Sequence, residues 1–254
     1  VQYLTAADEL VFFSNTNWTT FDLSTGEYIT KLGQLRRLTI SGYGLVDLDP
    51  DFKNLKNLES LDVSVNNFEK IPEVLTKENF PKLHALYLNT CQRGVIYDLS
   101  NTTTTHFGGL FEETDQTREF PRRLLEWDNL DTLTLSVNYL QGRIPDMKDY
   151  AQKYTQADIS AADSLPQALV GTPKVLPNIK RFSINLNRLT GELPEWLLHH
   201  PALDWMDPFT LVFTQEGKDQ DGKLAGFTNE PVNLDEYYRF YEGKKYLDPN
   251  KKEE

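Results

Sequence analysis

The chain has 254 residues, with 38 Asp and Glu against 26 Lys and Arg, for a formal net charge of −12. That balance repels phosphate backbones and anionic membranes, so nucleic-acid binding is excluded as a leading reading. A single cysteine rules out an internal disulfide, and no apolar run approaches the ~18 residues of a membrane span.

In chain order, residues 1–30 form an N-terminal cap. Leu10, Val11, Phe12 and Phe13 make a short apolar run suited to a strand, and Trp18, Phe21 and Tyr28 surround a turn at Ser24-Thr25-Gly26. The chain opens on Val1 rather than Met, as a processed or trimmed product would.

A fixed spacing of three, two and three residues then recurs. It passes through Leu35, Leu38, Ile40 and Tyr43; Leu58, Leu61, Val63 and Asn66; and Leu83, Leu86, Leu88 and Cys91. It returns at Leu130, Leu133, Leu135 and Asn138, and at Ile179, Phe182, Ile184 and Asn187. Period-two alternation at the centre of each unit predicts a short strand with its apolar members turned inward. One such unit cannot bury its apolar side alone, but stacked units can. The asparagine turns the chain out of the strand, and its amide can bond backbone groups of a neighbouring turn. Tyr43 cannot copy this, so the first turn is expected to bend differently.

Two units add Asn-x-Leu-x-Gly-x-Ile/Leu-Pro, at 138–145 and 187–194. With these the chain resembles the plant-type leucine-rich-repeat family over residues 29–206. The resemblance implies an α/β fold: a right-handed solenoid with a parallel concave sheet, an irregular or helical convex side, and caps at both ends. It also implies a binding function. Residues 196–241 are similar to the closing segment of predicted surface leucine-rich-repeat proteins of Bacteroidetes. Without disulfide-bonded caps, the chain leans towards a bacterial or intracellular origin.

The central strand residues lie 23 (Leu38 to Leu61), 25 (to Leu86), 47 (to Leu133), 49 (to Phe182) and 24 (to Met206) positions apart. Each doubled gap holds either a degenerate turn or an insertion. Insertions near 95–120 and 147–176 are favoured, because neither gap contains the asparagine pattern. The first is loop-like and ends at Phe120-Pro121, where the proline starts a helical segment at Arg122. In the second, Asp146 caps a helix whose apolar face is Met147, Tyr150, Ala151 and Tyr154. The two insertions leave adjacent turns and are expected to meet as a side lobe away from the concave sheet. The solenoid runs over 31–206. Residues 207–254 form a C-terminal cap, with Asn233 and Glu236 as a capping box and Leu234, Tyr237, Tyr238 and Tyr241 as an apolar helical face.

No residue set points to catalysis, a cofactor or a metal. Asp219, Asp221 and Gly222 lack the first and last ligands of a calcium loop and read as a turn. His84, His106, His199 and His200 have no ligand spacing, and Cys91 sits at a turn position where it is inert. Carboxylates at Glu112, Glu113, Asp115, Glu126 and Asp128 read as solvated. Asn17 and Asn101 match the glycosylation pattern, by chance if the protein is bacterial.

The concave face is the candidate binding surface. Its outward strand positions form a hydroxyl-rich strip that includes Thr39, Ser60, Ser64, Thr132, Ser136 and Ser183. The residues selected on it are Arg37, Asp62, Tyr87, Asn89, Thr134, Arg181, Asn185 and Trp205, since Tyr, Trp and Arg are favoured anchors. The expected function is non-enzymatic protein binding, with a host protein as one candidate partner, through this face or the side lobe, at a bacterial cell surface or secreted. Two alternatives stand beside it: a glycan-binding protein, or the recognition arm of an enzyme whose catalytic domain lies outside the chain.

Overall fold

The computed structural model describes residues 6–13, 27–45, 47–66, 68, 70–89, 119–161, 165, 167–198, 200, 214–218 and 221–229. Most of the first insertion, Cys91, Trp205 and the capping box at Asn233 lie outside them.

Six short strands form one parallel sheet: β1 (Glu9–Phe13), β2 (Arg37–Ser41), β3 (Ser60–Asp62), β4 (Ala85–Tyr87), β5 (Thr132–Thr134) and β7 (Arg181–Ser183), in that spatial order. The apolar run at Leu10 is therefore a strand, and it extends the sheet on its first side. Register follows the repeat: Leu38 pairs with Leu61, Leu61 with Leu86, Leu86 with Leu133 and Leu133 with Phe182. Since β4 bonds β5 and β5 bonds β7 directly, no further strand of this sheet stands between them. These stacked parallel strands are the sheet of a leucine-rich-repeat solenoid.

Behind the sheet, the repeat leucines and their neighbours form a continuous core. Four of the five units are preceded by a tight turn that buries one more apolar residue three positions before the first leucine or isoleucine. Leu32, Leu55, Phe80 and Leu176 fill that place, and each accepts a hydrogen bond from the residue three on: Leu35, Leu58, Leu83 and Ile179. The expected helical segment after Pro121 is a 3-10 helix, Arg122–Glu126.

The asparagines act as the repeat pattern requires. Asn66, Asn138 and Asn187 are 3 %, 0 % and 0 % exposed. The Asn187 amide donates to the carbonyls of Leu135 (2.9 Å) and Ile184 (2.8 Å), while its Oδ1 accepts from the N–H of Asn138 (2.8 Å) and Leu140 (3.2 Å). Asn66 does the same for the turn before its own, and its Oδ1 accepts from the N–H of Tyr43 and Leu45. The turn that lacks its own asparagine is thus held by the next one. The residue before each asparagine is left-handed: Val65 at φ 59°, Val137 at 60° and Leu186 at 56°. In the first turn Gly42 (φ 81°) takes this place, which is how Tyr43 is accommodated.

Gln215 continues the ladder beyond Asn187. Its Oε1 accepts from Leu189 N–H (3.1 Å) and its Nε2 donates to the Ile184 carbonyl (3.2 Å). A second sheet, β6 (Gln141–Gly142), β8 (Arg188–Gly191) and β9 (Gly226–Phe227), is built by the glycine-proline extension and reaches residue 227. The Arg143 side chain lies across Gly191, where an added Cβ would stand 2.9 Å from its Nε.

The second insertion differs from expectation. No helix spans Met147 to Tyr154; Met147 has φ 56°, and Asp146 caps only a turn through Lys148 N–H (3.1 Å). The helix α1 is Gln156–Ala161, begun by Thr155 and Asp158, whose side chains bond each other's backbone N–H. The segment closes on itself: Tyr154 N–H donates to Thr172 and Lys174 N–H to Gln152. Lys174 pairs with Asp158 at 2.6 Å and lies 5.7 Å from the Tyr154 ring centroid. The lobe is moored to the solenoid by Arg122, which bonds Asp149 at 2.8 Å.

Two predictions follow from these contacts. Replacing Asn187 with Ala leaves the buried N–H groups of Asn138 and Leu140 unpaired, at about 1–3 kcal/mol each; urea unfolding should show a loss of about 3 kcal/mol or more. Asn129→Ala, which removes an exposed bond to the Pro81 carbonyl, should cost about 0.5 kcal/mol. In the lobe, the hydrogen bond from Lys174 and those from Thr155 hold the Asp158 carboxyl at about 2, below its ordinary 3.8. The clasp therefore contributes in full above about pH 4 and is lost as pH falls through about 2. A carboxyl-carbon NMR titration should place the midpoint near 2 and move it up in Lys174→Met.

Candidate binding face

Alternation along each strand turns Leu10, Leu38, Leu61, Leu86, Leu133 and Phe182 into the core and their neighbours onto the open face. The register then aligns those neighbours in rows across the sheet. One row runs Val11, Thr39, Asp62, Tyr87, Thr134, Ser183; the next runs Glu9, Arg37, Ser60, Ala85, Thr132, Arg181.

Arg37 is half-exposed and committed to Glu9 (3.2 Å), with Asp8 at 3.9 Å. Asp62 Oδ1 accepts the N–H of Ser64 (2.9 Å), and among the described residues no cation pairs with its carboxylate. Tyr87 is partly buried beside it. Arg181 is exposed and has no ion pair among the described residues.

Three of the selected residues are tied up more than their sequence positions suggest. Asn89 accepts from Ser136 N–H (3.0 Å), and its own N–H donates to Ser64 Oγ (3.2 Å). Asn185 Oδ1 accepts from the hydroxyls of Ser183 (3.0 Å) and Ser136. Thr134 is 5 % exposed, and its hydroxyl has no hydrogen-bond partner among the described residues. Trp205 lies outside the described residues. The surface that register brings together is thus Asp62, Tyr87 and Arg181, with Thr39, Thr132 and Ser183 between and beside them.

Sequence reasoning did not select Val11 and Phe13. They are 61 % and 69 % exposed and put an apolar patch at the β1 end of the face. The signal was available: in an unbroken apolar run on one strand, every second residue must point away from the core.

Ionisable side chains line the entry to the strands. Asp8, Arg36, Glu59, His84, Asp131 and Lys180 stand in successive turns, joined by backbone bonds from each N–H to the preceding carbonyl. Arg36 bonds Glu59 through two 2.8 Å contacts and holds its carboxyl below the usual range. His84 Nδ1 lies 3.3 Å from Asp131. Opposite signs thus stand on adjacent turns at Asp8 and Arg36, at Arg36 and Glu59, and at Asp131 and Lys180. Among the described residues, no group of three His, Cys, Asp or Glu comes together to hold a metal, and no helix is long and apolar enough to cross a membrane.

A family model described as Leucine Rich Repeat matches residues 57–77. No curated protein matches the chain. Among solved structures it is similar to a leucine-rich-repeat protein of Leptospira interrogans, at 13 % identity and TM-score 0.43, over 85 % of this chain and 51 % of that one. A plant ice-binding protein shares 17 % identity, with TM-score 0.41, over 86 % and 66 %. The plant peptide hormone receptor RGFR1, solved with RGF2, shares 16 % identity, with TM-score 0.36, over 86 % and 33 %. The chain thus spans between a third and two thirds of the length of these structures.

The buried Thr134 hydroxyl gives a direct check. An unpaired buried hydroxyl costs about 1–3 kcal/mol, which an apolar group of the same shape avoids. Thr134→Val should therefore stabilise the protein by about 1 kcal/mol in urea unfolding. The five-fold repeat spacing, the matching family model within it and the directly paired parallel strands give this chain a leucine-rich-repeat fold.

Proposed function

We propose that the protein is a non-enzymatic binding module that takes a protein ligand on the concave face of its sheet, outside the cytoplasm, at a bacterial cell surface or secreted. The observation that carries this reading is the pair of adjacent outward rows that bring Asp62, Tyr87 and Arg181 to one face. These are a carboxylate, an aromatic ring and a guanidinium, held in register on a rigid sheet, with both charges left without ion pairs among the described residues. Aromatic rings and guanidinium groups are the anchors that a binding surface favours. A rigid open sheet with no nucleophile-base pair on it suits recognition better than turnover. The extracytoplasmic placement is supported by the likeness of residues 196–241 to bacterial surface repeat proteins, noted above. The self-closed lobe at 152–174 is the second surface on which a partner can rest.

The test is capture from extracellular host material, protein and glycan together, on the immobilised chain and on the Tyr87→Ala, Arg181→Ala double variant. The expected outcome is a protein held by the chain and retained at least tenfold less by the variant. A partner held equally by both moves the site to the lobe, and a captured glycan in place of a protein overturns the ligand class.

A further inference from the structure

We infer that the ligand of the concave face is an extended peptide carrying a basic side chain and an acidic group four to five residues apart, the first seated at Asp62 and the second at Arg181. This rests on the concave-face reading above and gives its partner a chemistry.

Four charged side chains stand at outward positions of the described sheet: Glu9, Arg37, Asp62 and Arg181. Glu9 and Arg37 pair with each other at 3.2 Å. Asp62 and Arg181 have no ion pair among the described residues. Asp62 is engaged only through Oδ1, by a backbone N–H, and its Oδ2 has no partner among the described residues. Arg181 is exposed at the last strand of the sheet.

They cannot satisfy one another. Three strand steps separate them, β3 to β4 to β5 to β7, and Arg181 stands two residues before Ser183, the residue in line with Asp62. With ~4.8 Å per strand and ~3.3 Å per residue, their Cα atoms are about 16 Å apart. An extended peptide covers that distance in four to five residues. Between them on the same face lies the Tyr87 ring, which suits an apolar or aromatic side chain in the middle of the segment.

The rest of the face narrows the choice. Ser64, Asn89, Ser136, Ser183 and Asn185 are bonded to one another, so their hydroxyl and amide groups are largely spent. A neutral glycan, which depends on such groups, meets fewer of them than the hydroxyl-rich sequence suggests. A polyanion would meet Arg181 but also Asp62 and a net charge of −12. A ligand with one charge of each sign uses both unpaired groups, and the planar guanidinium of Arg181 suits a carboxylate in two-point contact.

The probes are fluorescein-labelled octapeptides on a Ser/Thr/Tyr background, with Lys and Glu four or five residues apart in either order, and versions with Gln at one or both charged positions. Binding to the full chain is read by fluorescence anisotropy at low salt. One order of the charged pair should bind best and weaken about tenfold when both charges become Gln. In Asp62→Asn, replacing Lys should cost nothing further while replacing Glu still does; Arg181→Gln should show the reverse. The paired exchange Asp62→Lys with Arg181→Glu should favour the opposite peptide order. Asp62→Asn keeps the acceptor for Ser64 N–H, so its effect reports charge rather than folding. Binding that ignores charge but is lost in Tyr87→Ala overturns this inference and leaves the concave-face reading standing. Binding that survives all the variants overturns both, and no binding by any peptide overturns the inference.

Discussion

Buried side-chain amides at the bends hold this molecule together. A strand that ends at the edge of a solenoid must bend away, and the bend leaves backbone N–H and C=O groups inside the core with no sheet partner. Asn66, Asn138 and Asn187 satisfy those groups with a side chain that offers two donors and an acceptor, and each spans two turns at once. The bend also puts Val65, Val137 and Leu186 in the left-handed region, which costs of order 1–3 kcal/mol at each non-glycine position. The N–H of each is pinned to a carbonyl of the following turn, at 2.9, 3.1 and 2.7 Å, so the strained backbone and the amide ladder hold each other in place.

That ladder makes long insertions tolerable. Loop-closure entropy grows slowly with length, so a turn can carry some twenty extra residues provided its strand and its asparagine stay in place. The segment after Met147 shows how: it leaves beyond the bend, closes on itself through Tyr154, Thr172, Lys174 and Gln152, and returns to bury Val175 and Leu176 in the core. The sheet remains continuous, and so do the rows of side chains on its open face. A second ladder on the opposite side reinforces this. Asn57, Asn129 and Asn178, each just before the first apolar residue of its unit, donate to the carbonyls of Gly33, Pro81 and Asp128 in the preceding turn.

The fold was legible because stacking forces every turn into the same spacing, and the strand register can be read from the leucines alone. The site was less legible. Whether an outward residue is available depends on neighbours in other turns. Thr134 looks like Thr132 in sequence, yet it is buried in line between Tyr87 and Ser183, which are 47 and 49 residues away. Asn89 and Asn185 likewise belong to a cross-strand network that no local pattern shows. The helix expected at Met147 failed for a related reason. Met147, Tyr150 and Tyr154 are buried as their spacing suggested, but from an irregular path, and the capping pair that does start a helix, Thr155 with Asp158, lies eight residues further on. Gln215 was missed because the ladder was sought as asparagine. Thr214 accepts from Leu186 N–H as Asn185 does from Val137, so glutamine stands one place early and its extra methylene restores the reach.

Everything argued for the concave face depends on β4 and β5 being direct neighbours across the 47-residue gap. Oxidative cross-linking in a Cys91→Ser background tests this most directly, with Ala85→Cys and Thr132→Cys as the probe pair and Ser60→Cys with Ala85→Cys as the control. Adjacent strands bring Cα atoms to about 4.8 Å, within reach of a disulfide, whereas a hidden turn would hold them near 9.6 Å, beyond it. The account predicts a disulfide in both pairs. A disulfide in the control alone would contradict it, and with it the alignment of Asp62, Tyr87 and Arg181 on one surface.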